Sequence, residues 1–265
     1  MKLKILLLSF LAVFLMAGSA MAGPFGDEIT IYDNRSGTYN GSNGGGWWTN
    51  QNEDQEVEPG MIHNQDWDLE GFFLDGTTLT MVGGWDFVNG VVGYSFTSGD
   101  IFIDVDGNAQ YGAGADPSVT NRGYDYVFDV NWGVNNNIGS YNVYALDGGS
   151  TLHDVYYYNS PESSPWSFDW TDEGLLSSGS FLYSPGLSDS QTGSSGGTHY
   201  SVTGFDLSFL APGTEFISHF TMECGNDNLM GSGTTPVPEP ATMFLLGSGL
   251  IGLAVVGRRK FFKKS

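Results

Sequence analysis

Short apolar or alternating segments, each ended by turn-forming residues, fill the middle of the chain from about residue 28 to residue 224. Strands have a side-chain period of two, whereas the helical period of 3.6 is nearly absent here. The 39 glycines, together with many Asn, Asp and Ser residues, end each segment after a few positions and favour tight turns. The aromatic content of 14% is enough to fill the space between two sheets. The pattern predicts an all-β fold, a two-sheet antiparallel β-sandwich of the jelly-roll type.

The first 22 residues have the composition of a secretory signal peptide. Lys2 and Lys4 precede an apolar stretch from Ile5 to Ala17, which predicts a signal helix. Residues 20–22, Ala-Met-Ala, have the small-x-small pattern of a signal-peptidase site. We therefore predict cleavage by signal peptidase before Gly23 and export of the remaining chain.

The C-terminal tail combines three features in a fixed order. Val237-Pro238-Glu239-Pro240 leads into the apolar run 241–257, and five cations follow, beginning with Arg258 and Arg259. The prolines fix φ and remove backbone donors, so the glutamate between them is held in an extended and accessible segment. The apolar run is near the short limit for spanning a bilayer, and the cations after it favour the cytoplasmic side. We predict a transmembrane helix over 241–257, with the body of the protein outside the cytoplasm.

This order of motif, apolar helix and Arg-rich end resembles the C-terminal signal of the PEP-CTERM family of exosortase substrates. The resemblance rests on Pro238, Glu239, Pro240, Arg258 and Arg259. It implies recognition by an exosortase, a membrane-embedded cysteine transpeptidase, which would cut near the motif and release or re-attach the body at the cell surface. An ordinary C-terminal membrane anchor is the alternative.

These signals divide the chain into four parts. Residues 1–22 form the signal peptide, 23–224 the β-sandwich body, 225–236 a linker and 237–265 the sorting signal. We expect an exported protein of the cell envelope, cell surface or extracellular space, anchored only transiently in the inner membrane.

Charge is strongly segregated along the chain. Seven of the nine Lys and Arg residues lie in the two terminal signals, whereas all 30 Asp and Glu residues lie between Asp27 and Glu239. Arg35 and Arg122 are the only cations in that region, which leaves a formal charge of −28. Nucleic-acid binding is excluded because phosphate contacts need clustered cations. Divalent cations, or solubility at a crowded surface, are the uses that such a charge allows.

One candidate metal site lies in the segment Ser98-Gly-Asp-Ile-Phe-Ile-Asp-Val-Asp-Gly-Asn108. Its alternation puts Ile101 and Ile103 on one face of a strand and Phe102, Asp104 and Asp106 on the other. Residues two apart in a strand are about 6.5–7 Å apart, so both aspartates could reach one hard cation, with Asn108 and a turn carbonyl completing its oxygen shell. The sequence thus predicts a calcium site at Asp104, Asp106 and Asn108. A second alternating run at 123–131 carries Asp125 and would add carboxylates if the two strands pair. A hairpin with solvated aspartates in its turn is the alternative.

Aromatic residues in polar, loop-like contexts suggest a sugar-binding surface. Trp faces stack on pyranose rings through the contacts they also use in protein cores. The candidates are Trp47, Trp48, Trp166 and Trp170. The run Gly99-Asp-Ile-Phe-Ile-Asp104, followed by Gly123-Tyr-Asp-Tyr126, loosely resembles the jelly-roll sandwiches of carbohydrate-binding and DOMON-like modules. Trp166 and Trp170 could instead cover the edge of the sandwich.

Cys224 is the only cysteine, so no intramolecular disulfide can form. It closes an alternating segment that begins at Glu215, and we expect it to behave as a small buried hydrophobe. His219, Thr221 and the run Cys224-Gly-Asn-Asp227 resemble a His-x-Thr-x-x-Cys-Gly-Asn-Asp ending found in many PEP-CTERM bodies.

The sequence predicts a protein without enzymatic activity. The histidines lack zinc-site spacing, no phosphate-binding loop or dinucleotide fingerprint occurs, and no carboxylate pair is marked out as an acid and a nucleophile. We expect a structural or adhesive component of the envelope or its exopolysaccharide, processed by an exosortase. A calcium-assisted carbohydrate-binding module and a glycoside hydrolase are the two alternatives.

Overall fold

The computed structural model describes residues 23–32, 53–58, 60–110, 121–157, 163–169, 174–238 and 248–249. The predicted signal peptide and, apart from residues 248–249, the predicted transmembrane helix lie outside these ranges. Among the described residues, none of the helices has the length and apolar character that crossing a membrane requires.

The described residues are dominated by strands, which confirms the all-β prediction. The twelve strands are β1 Asp27–Glu28, β2 Leu69–Asp75, β3 Thr78–Gly83, β4 Ile101–Asp104, β5 Tyr126–Asn135, β6 Ile138–Ala145, β7 Thr151–His153, β8 Ser167–Asp169, β9 Leu175–Leu187, β10 His199–Asp206, β11 Glu215–Thr221 and β12 Asn228–Thr234. A 3₁₀ turn, Gln65–Trp67, precedes β2, and the helix α1, Asp189–Thr192, connects β9 to β10.

Ten strands form one antiparallel sheet, in the order β1-β2-β3-β10-β9-β6-β5-β4-β11-β12. Its two ends meet along residues 29–31. The Ile29 amide donates to the Phe72 carbonyl of β2, and the Ile31 amide donates to the Met230 carbonyl of β12, over 2.9 and 2.8 Å. The prediction of two separate sheets is therefore corrected: one curled sheet encloses the core, and the second sheet is only the small hairpin β7–β8.

The turn between β5 and β6 shows how local sequence fixes the strand register. Asn136 and Asn137 have φ values of 52° and 64°, and they connect the paired residues Asn135 and Ile138. Two successive residues with positive φ give a hairpin turn whose twist matches that of the strands, and Asn tolerates this conformation better than most residues.

Strand β4 is buried on both faces, and its alternating side chains pack into two different hydrophobic clusters. Ile101 and Ile103 belong to the main core inside the curled sheet, together with large aromatic side chains such as Phe128 and Phe205. Phe102 points the other way, into a second cluster beneath the small hairpin. The other members of that cluster are Tyr124, Val127, Tyr144, Leu146 and Phe168. The predicted separation of faces along β4 is confirmed.

The prediction of a linker over residues 225–236 is wrong. Residues 228–234 form β12, which pairs with β11 along its whole length, from Glu215 opposite Thr234 to Thr221 opposite Asn228. Leu229 is fully buried, because β12 closes the curled sheet against the N-terminal segment. Thr235 is buried as well, so the body extends to within a few residues of the C-terminal motif.

Candidate functional site

Three carboxylates meet where β4 ends. Asp104, Asp106 and Asp125 each offer an oxygen, and these atoms lie within 4.8 Å of one another. Asp104 already folds the turn: its Oδ1 accepts the amides of Asp106 and Gly107 over 3.0 and 2.8 Å, and its Oδ2 accepts the Ala109 amide over 3.1 Å. The aspartates that sequence reasoning grouped are therefore adjacent, and Asp104 has a structural role of its own.

Asn108 lies beside this cluster. Its side-chain Nδ2 donates to Asp106 Oδ2 over 2.7 Å, so the amide orients Asp106. The third carboxylate of the cluster is Asp125, which comes close because β4 pairs with β5. Asp125 Oδ2 accepts the Val105 amide over 2.7 Å, and partial burial raises the pKa of this carboxyl.

The structure also contains a second cluster of carboxylates, formed by Asp54, Asp68 and Glu70, which the sequence analysis did not predict. Asp54 comes from the 53–58 segment, Asp68 follows the 3₁₀ turn, and Glu70 lies in β2; their oxygens also lie within 4.8 Å of one another. Asp68 is 0% exposed and Glu70 is 4% exposed. Further carboxylates are buried in the same segments and in the one before β12: Glu53, Glu56, Glu58 and Asp227.

Burial of so many acidic groups changes their protonation. Burial raises the pKa of Asp68 and of Asp227 well above the usual range of an aspartate, and neighbouring carboxylates raise it further. Burial also raises the pKa of Asp54 and of Glu70. The cost of holding negative charge in this region is therefore high, and it falls only when protons or a cation compensate.

His199 is the basic group nearest to Glu70. Its Nδ1 lies 2.6 Å from Glu70 Oε1, and its Nε2 lies 2.9 Å from Asp189 Oδ1 of α1. Burial opposes protonation of the imidazole, but the hydrogen bonds to the two carboxylates outweigh it and raise the His199 pKa to about 8. Gln65 Nε2 also donates to Glu70 Oε1, over 2.6 Å. These contacts fix one oxygen of Glu70.

The second cluster opens into a pocket of about 410 Å³, which we call the acidic pocket. Asp54 and Glu70 line it, together with Asp27, Glu28 and Tyr32 from the N-terminal segment. Four carboxylates thus face a space large enough for an ion and several water molecules.

A second pocket, of about 200 Å³, is lined mainly by aromatic side chains, and we call it the aromatic pocket. Its lining residues differ from those of the acidic pocket. Trp67, Tyr94, Phe96 and Tyr157 line it, with Asn226 as a polar neighbour. The rings pack edge to face, with centroids 5.0 Å apart for Trp67 and Tyr94 and 5.7 Å apart for Phe96 and Tyr157. Tyr94 and Tyr157 are exposed, so the described surface offers an aromatic patch there.

Of the predicted sugar-binding tryptophans, Trp166 is the one among the described residues, and it is not part of the described lining of this pocket. Trp47, Trp48 and Trp170 lie outside the described residues. Trp166 is half-buried, and its backbone joins the small hairpin to the large sheet: its amide donates to the His153 carbonyl, and its carbonyl accepts the Asp100 amide over 2.8 Å. Sequence reasoning placed Trp67 in no site, because only the fold brings Tyr94, Phe96 and Tyr157 against it.

The His-x-Thr-x-x-Cys-Gly-Asn-Asp segment holds loops against the sheet. Thr221 Oγ1 donates to the Asp227 carbonyl over 2.5 Å, and Asp227 Oδ2 accepts the Leu69 amide over 2.6 Å. The Asn226 side chain bonds both backbone groups of Ile62, over 2.9 and 2.8 Å. Asn226 therefore supports the aromatic pocket, while Asp227 lies beside the buried carboxylates.

Cys224 is 1% exposed, which confirms its expected burial. Burial raises the pKa of its thiol to about 12. A nucleophilic cysteine needs a lowered pKa, so this environment is the opposite of an activated one.

The body ends just before the C-terminal motif. Thr235 Oγ1 donates to the Ala211 carbonyl over 2.6 Å, whereas Val237 and Pro238 are exposed. Glu239, Pro240, Arg258 and Arg259 lie outside the described residues.

Comparison with known proteins gives one finding on this tail. Residues 236–260 match the family model of the PEP-CTERM protein-sorting motif. No curated protein and no solved structure matches the chain. The molecule is therefore an all-β protein that carries a PEP-CTERM sorting motif, as the resemblance of its tail implied. Such a motif is the mark of an exported, membrane-transiting protein that an exosortase processes.

Proposed function

We propose that this protein is a structural or adhesive component of the cell envelope or its exopolysaccharide, left at the surface after an exosortase has processed its tail. The observation that carries the proposal is the PEP-CTERM motif at residues 236–260, which begins two residues after β12 ends at Thr234. Because Thr235 is hydrogen-bonded to the body and Val237 is exposed, a cut near Glu239 would leave the twelve strands of the described residues intact.

The processing step is tested in the native host with Glu239→Ala. We expect the variant to keep its membrane-bound tail, so that mass spectrometry finds no shortened C-terminus and the surface fraction of the protein falls. Glu215→Ala is the matched control, because Glu215 is an exposed glutamate of the body in β11. An unchanged mature C-terminus and unchanged surface placement in Glu239→Ala would contradict the proposal.

The structural role is supported by the composition of the body. A formal charge of −28 between Asp27 and Glu239 suits repulsion from other anionic surfaces and binding of divalent cations, and the only thiol is buried. Deletion of the protein should loosen the matrix, seen as more polysaccharide released into the medium, and the intact chain should restore it. A deletion strain with unchanged matrix would argue against this role.

A calcium-assisted carbohydrate-binding module is the second candidate, and the aromatic pocket favours it. Exposed Tyr94 and Tyr157 offer faces on which a pyranose ring can stack, and Asn226 supplies a polar group beside them. In this reading the ion lies at Asp104, Asp106 and Asp125.

A glycan array with calcium tests the second candidate. Binding to a defined glycan should weaken in Tyr94→Ala and Tyr157→Ala, and it should persist in Leu176→Ala, which removes an exposed apolar side chain from β9. Binding that also falls in Asp104→Asn would show the part played by calcium. If the array shows no saturable binding, the carbohydrate-binding candidate is rejected and the structural role is the one that stays.

A further inference from the structure

We propose that Asp54, Asp68 and Glu70 form a calcium-binding site at the inner wall of the acidic pocket. The site is distinct from the aspartates at the end of β4, and it joins the 53–58 segment to β2.

The two buried carboxylates of the cluster have the same arrangement of partners. Glu70 Oε1 is held by Gln65 Nε2 and His199 Nδ1, and Asp68 Oδ2 accepts the Gln55 amide over 3.0 Å. In contrast, Glu70 Oε2 and Asp68 Oδ1 are buried and have no hydrogen-bond partner. A buried oxygen without a partner is costly, whereas a carboxylate with one oxygen oriented by donors is prepared to bind a metal through the other.

The spacing suits a calcium ion. Calcium binds oxygen at 2.3–2.6 Å, so two oxygens on opposite sides of the ion are about 4.8 Å apart. The three carboxylates offer oxygens within 4.8 Å of one another, so one ion can touch all three. The ligand atoms are all oxygens, which a hard cation prefers, and the acidic pocket leaves room for the water molecules that complete a shell of six to eight.

The charge of the surroundings favours a cation. Glu53, Glu56 and Asp68 each raise the pKa of the buried Asp227, so ionised carboxylates in this region repel one another. Arg122, the only Arg or Lys among the described residues, forms an ion pair with Asp154. His199 contacts Glu70 and Asp189, and no other cationic partner for the cluster is present among the described side chains.

The two acidic clusters differ in what their oxygens do. Both oxygens of Asp104 accept backbone amides, and both oxygens of Asp106 accept groups of Asn108. These contacts fold the turn without an ion. The buried oxygens without a hydrogen-bond partner belong to Asp68 and Glu70, so the structure favours the acidic pocket, and not the end of β4, as the calcium site.

The proposal is tested by titrating the full-length chain, purified in mild detergent and stripped with chelator, with calcium chloride in a calorimeter. Asp68→Asn and Glu70→Gln keep the shape of each side chain and remove its charge. We expect each to weaken calcium binding by at least the roughly 10- to 100-fold that loss of an outer-shell partner costs. Glu215→Gln, which removes the charge of an exposed glutamate in β11, is the matched control and should leave this binding unchanged, and magnesium should bind more weakly than calcium.

Two results would overturn the proposal: no calcium binding by the wild-type chain, or binding that survives Asp68→Asn and Glu70→Gln but is lost in Asp104→Asn.

Terbium luminescence keeps the test valid if either pocket variant does not fold. Trp67 precedes Asp68 and Tyr32 lines the pocket, so terbium bound there should emit on excitation of these rings, in the Asp104→Asn background, and calcium should displace it. Absence of calcium-sensitive emission in that background would also refute the site. These readouts do not depend on sorting or on glycan binding, so each proposal fails separately.

Discussion

The Nε2 atom of His219 lies 3.0 Å from the carbonyl oxygen of Pro165 and 3.1 Å from that of Ser163. Two carbonyl acceptors require a proton on Nε2, so the ring joins β11 to the segment before β8 as a donor. His219 is fully buried, and this burial lowers its pKa to about 4.

We predict that His219 makes stability depend on pH below neutrality. The ordinary pKa of His is 6.5, so between pH 6.5 and about pH 4 the unfolded chain binds a proton that the folded chain does not. The contribution of the neutral ring is full above pH 6.5 and decreases by roughly 3 kcal/mol as the pH falls to 4. Urea unfolding of wild type and His219→Gln at pH 7 and pH 4.5 checks this. An equal loss of stability in both proteins would contradict it.

Asp100 should give a pH dependence of the opposite sign. Its carboxylate accepts the Val130 amide over 2.9 Å and the Phe168 amide over 2.8 Å, which joins β5 to β8, and its complete burial raises its pKa to about 7. The folded state therefore holds its proton up to a higher pH than the unfolded state, so the contribution of this group decreases as the pH rises from about 4 to about 7.

The measurement is the free energy of unfolding of wild type and Asp100→Asn at pH 5 and pH 8. We expect the advantage of wild type over Asp100→Asn to be smaller at pH 8, by roughly 2 to 4 kcal/mol. A difference between the two proteins that does not vary with pH would show that this carboxyl has an ordinary pKa.

Gly99→Ala should destabilise the fold. A Cβ at Gly99 would overlap the Trp166 carbonyl oxygen and lie 2.6 Å from the Thr221 carbonyl oxygen, and backbone atoms cannot rotate away. We expect a loss of about 1 to 3 kcal/mol or more in thermal or urea unfolding. Gly174→Ala is the control, because a Cβ added at the exposed Gly174 would meet none of the described atoms within 4 Å, and it should change stability by less than about 0.5 kcal/mol. Equal effects of the two substitutions would refute the steric explanation.

Cys224 should be inert in the folded protein. Its thiol is buried and has a pKa of about 12, so almost no thiolate exists at pH 8. A chromogenic thiol reagent should react slowly with the native chain and fast in urea, with Cys224→Ser as the blank. Rapid reaction of the native protein would indicate an accessible thiol and reopen a chemical role for it.

Local patterns in the sequence predicted the all-β class of the fold and the two faces of β4. The alternation in β4 placed Ile101 and Ile103 opposite Phe102, and the structure agrees. The alternation around β5 predicted that Asp125 would join Asp104 and Asp106 if the strands paired, and they do. The segment before the tail was misjudged, because the glycines at 225, 231 and 233 resemble a linker although Gly231 and Gly233 lie in β12.

The acidic pocket shows why the rest could not be read from the sequence. Leu69 donates to Asp227 across 158 positions of the chain, and His199 reaches Glu70 across 129. A run of acidic residues such as 53–58 looks like a solvated surface, since nothing local indicates which carboxylates lose water. Burial is decided by which distant segments cover them.

The sequence by itself determined the class of fold and the sorting of the protein, because period-two alternation and the order of motif, apolar run and cations are local properties of the chain. Only the tertiary structure decided that one sheet closes on itself through residues 29–31, and that Asp54, Asp68 and Glu70 meet with two oxygens unpartnered. The physical reason is that closure and desolvation depend on pairing between segments far apart in sequence, for which the local pattern carries no signal.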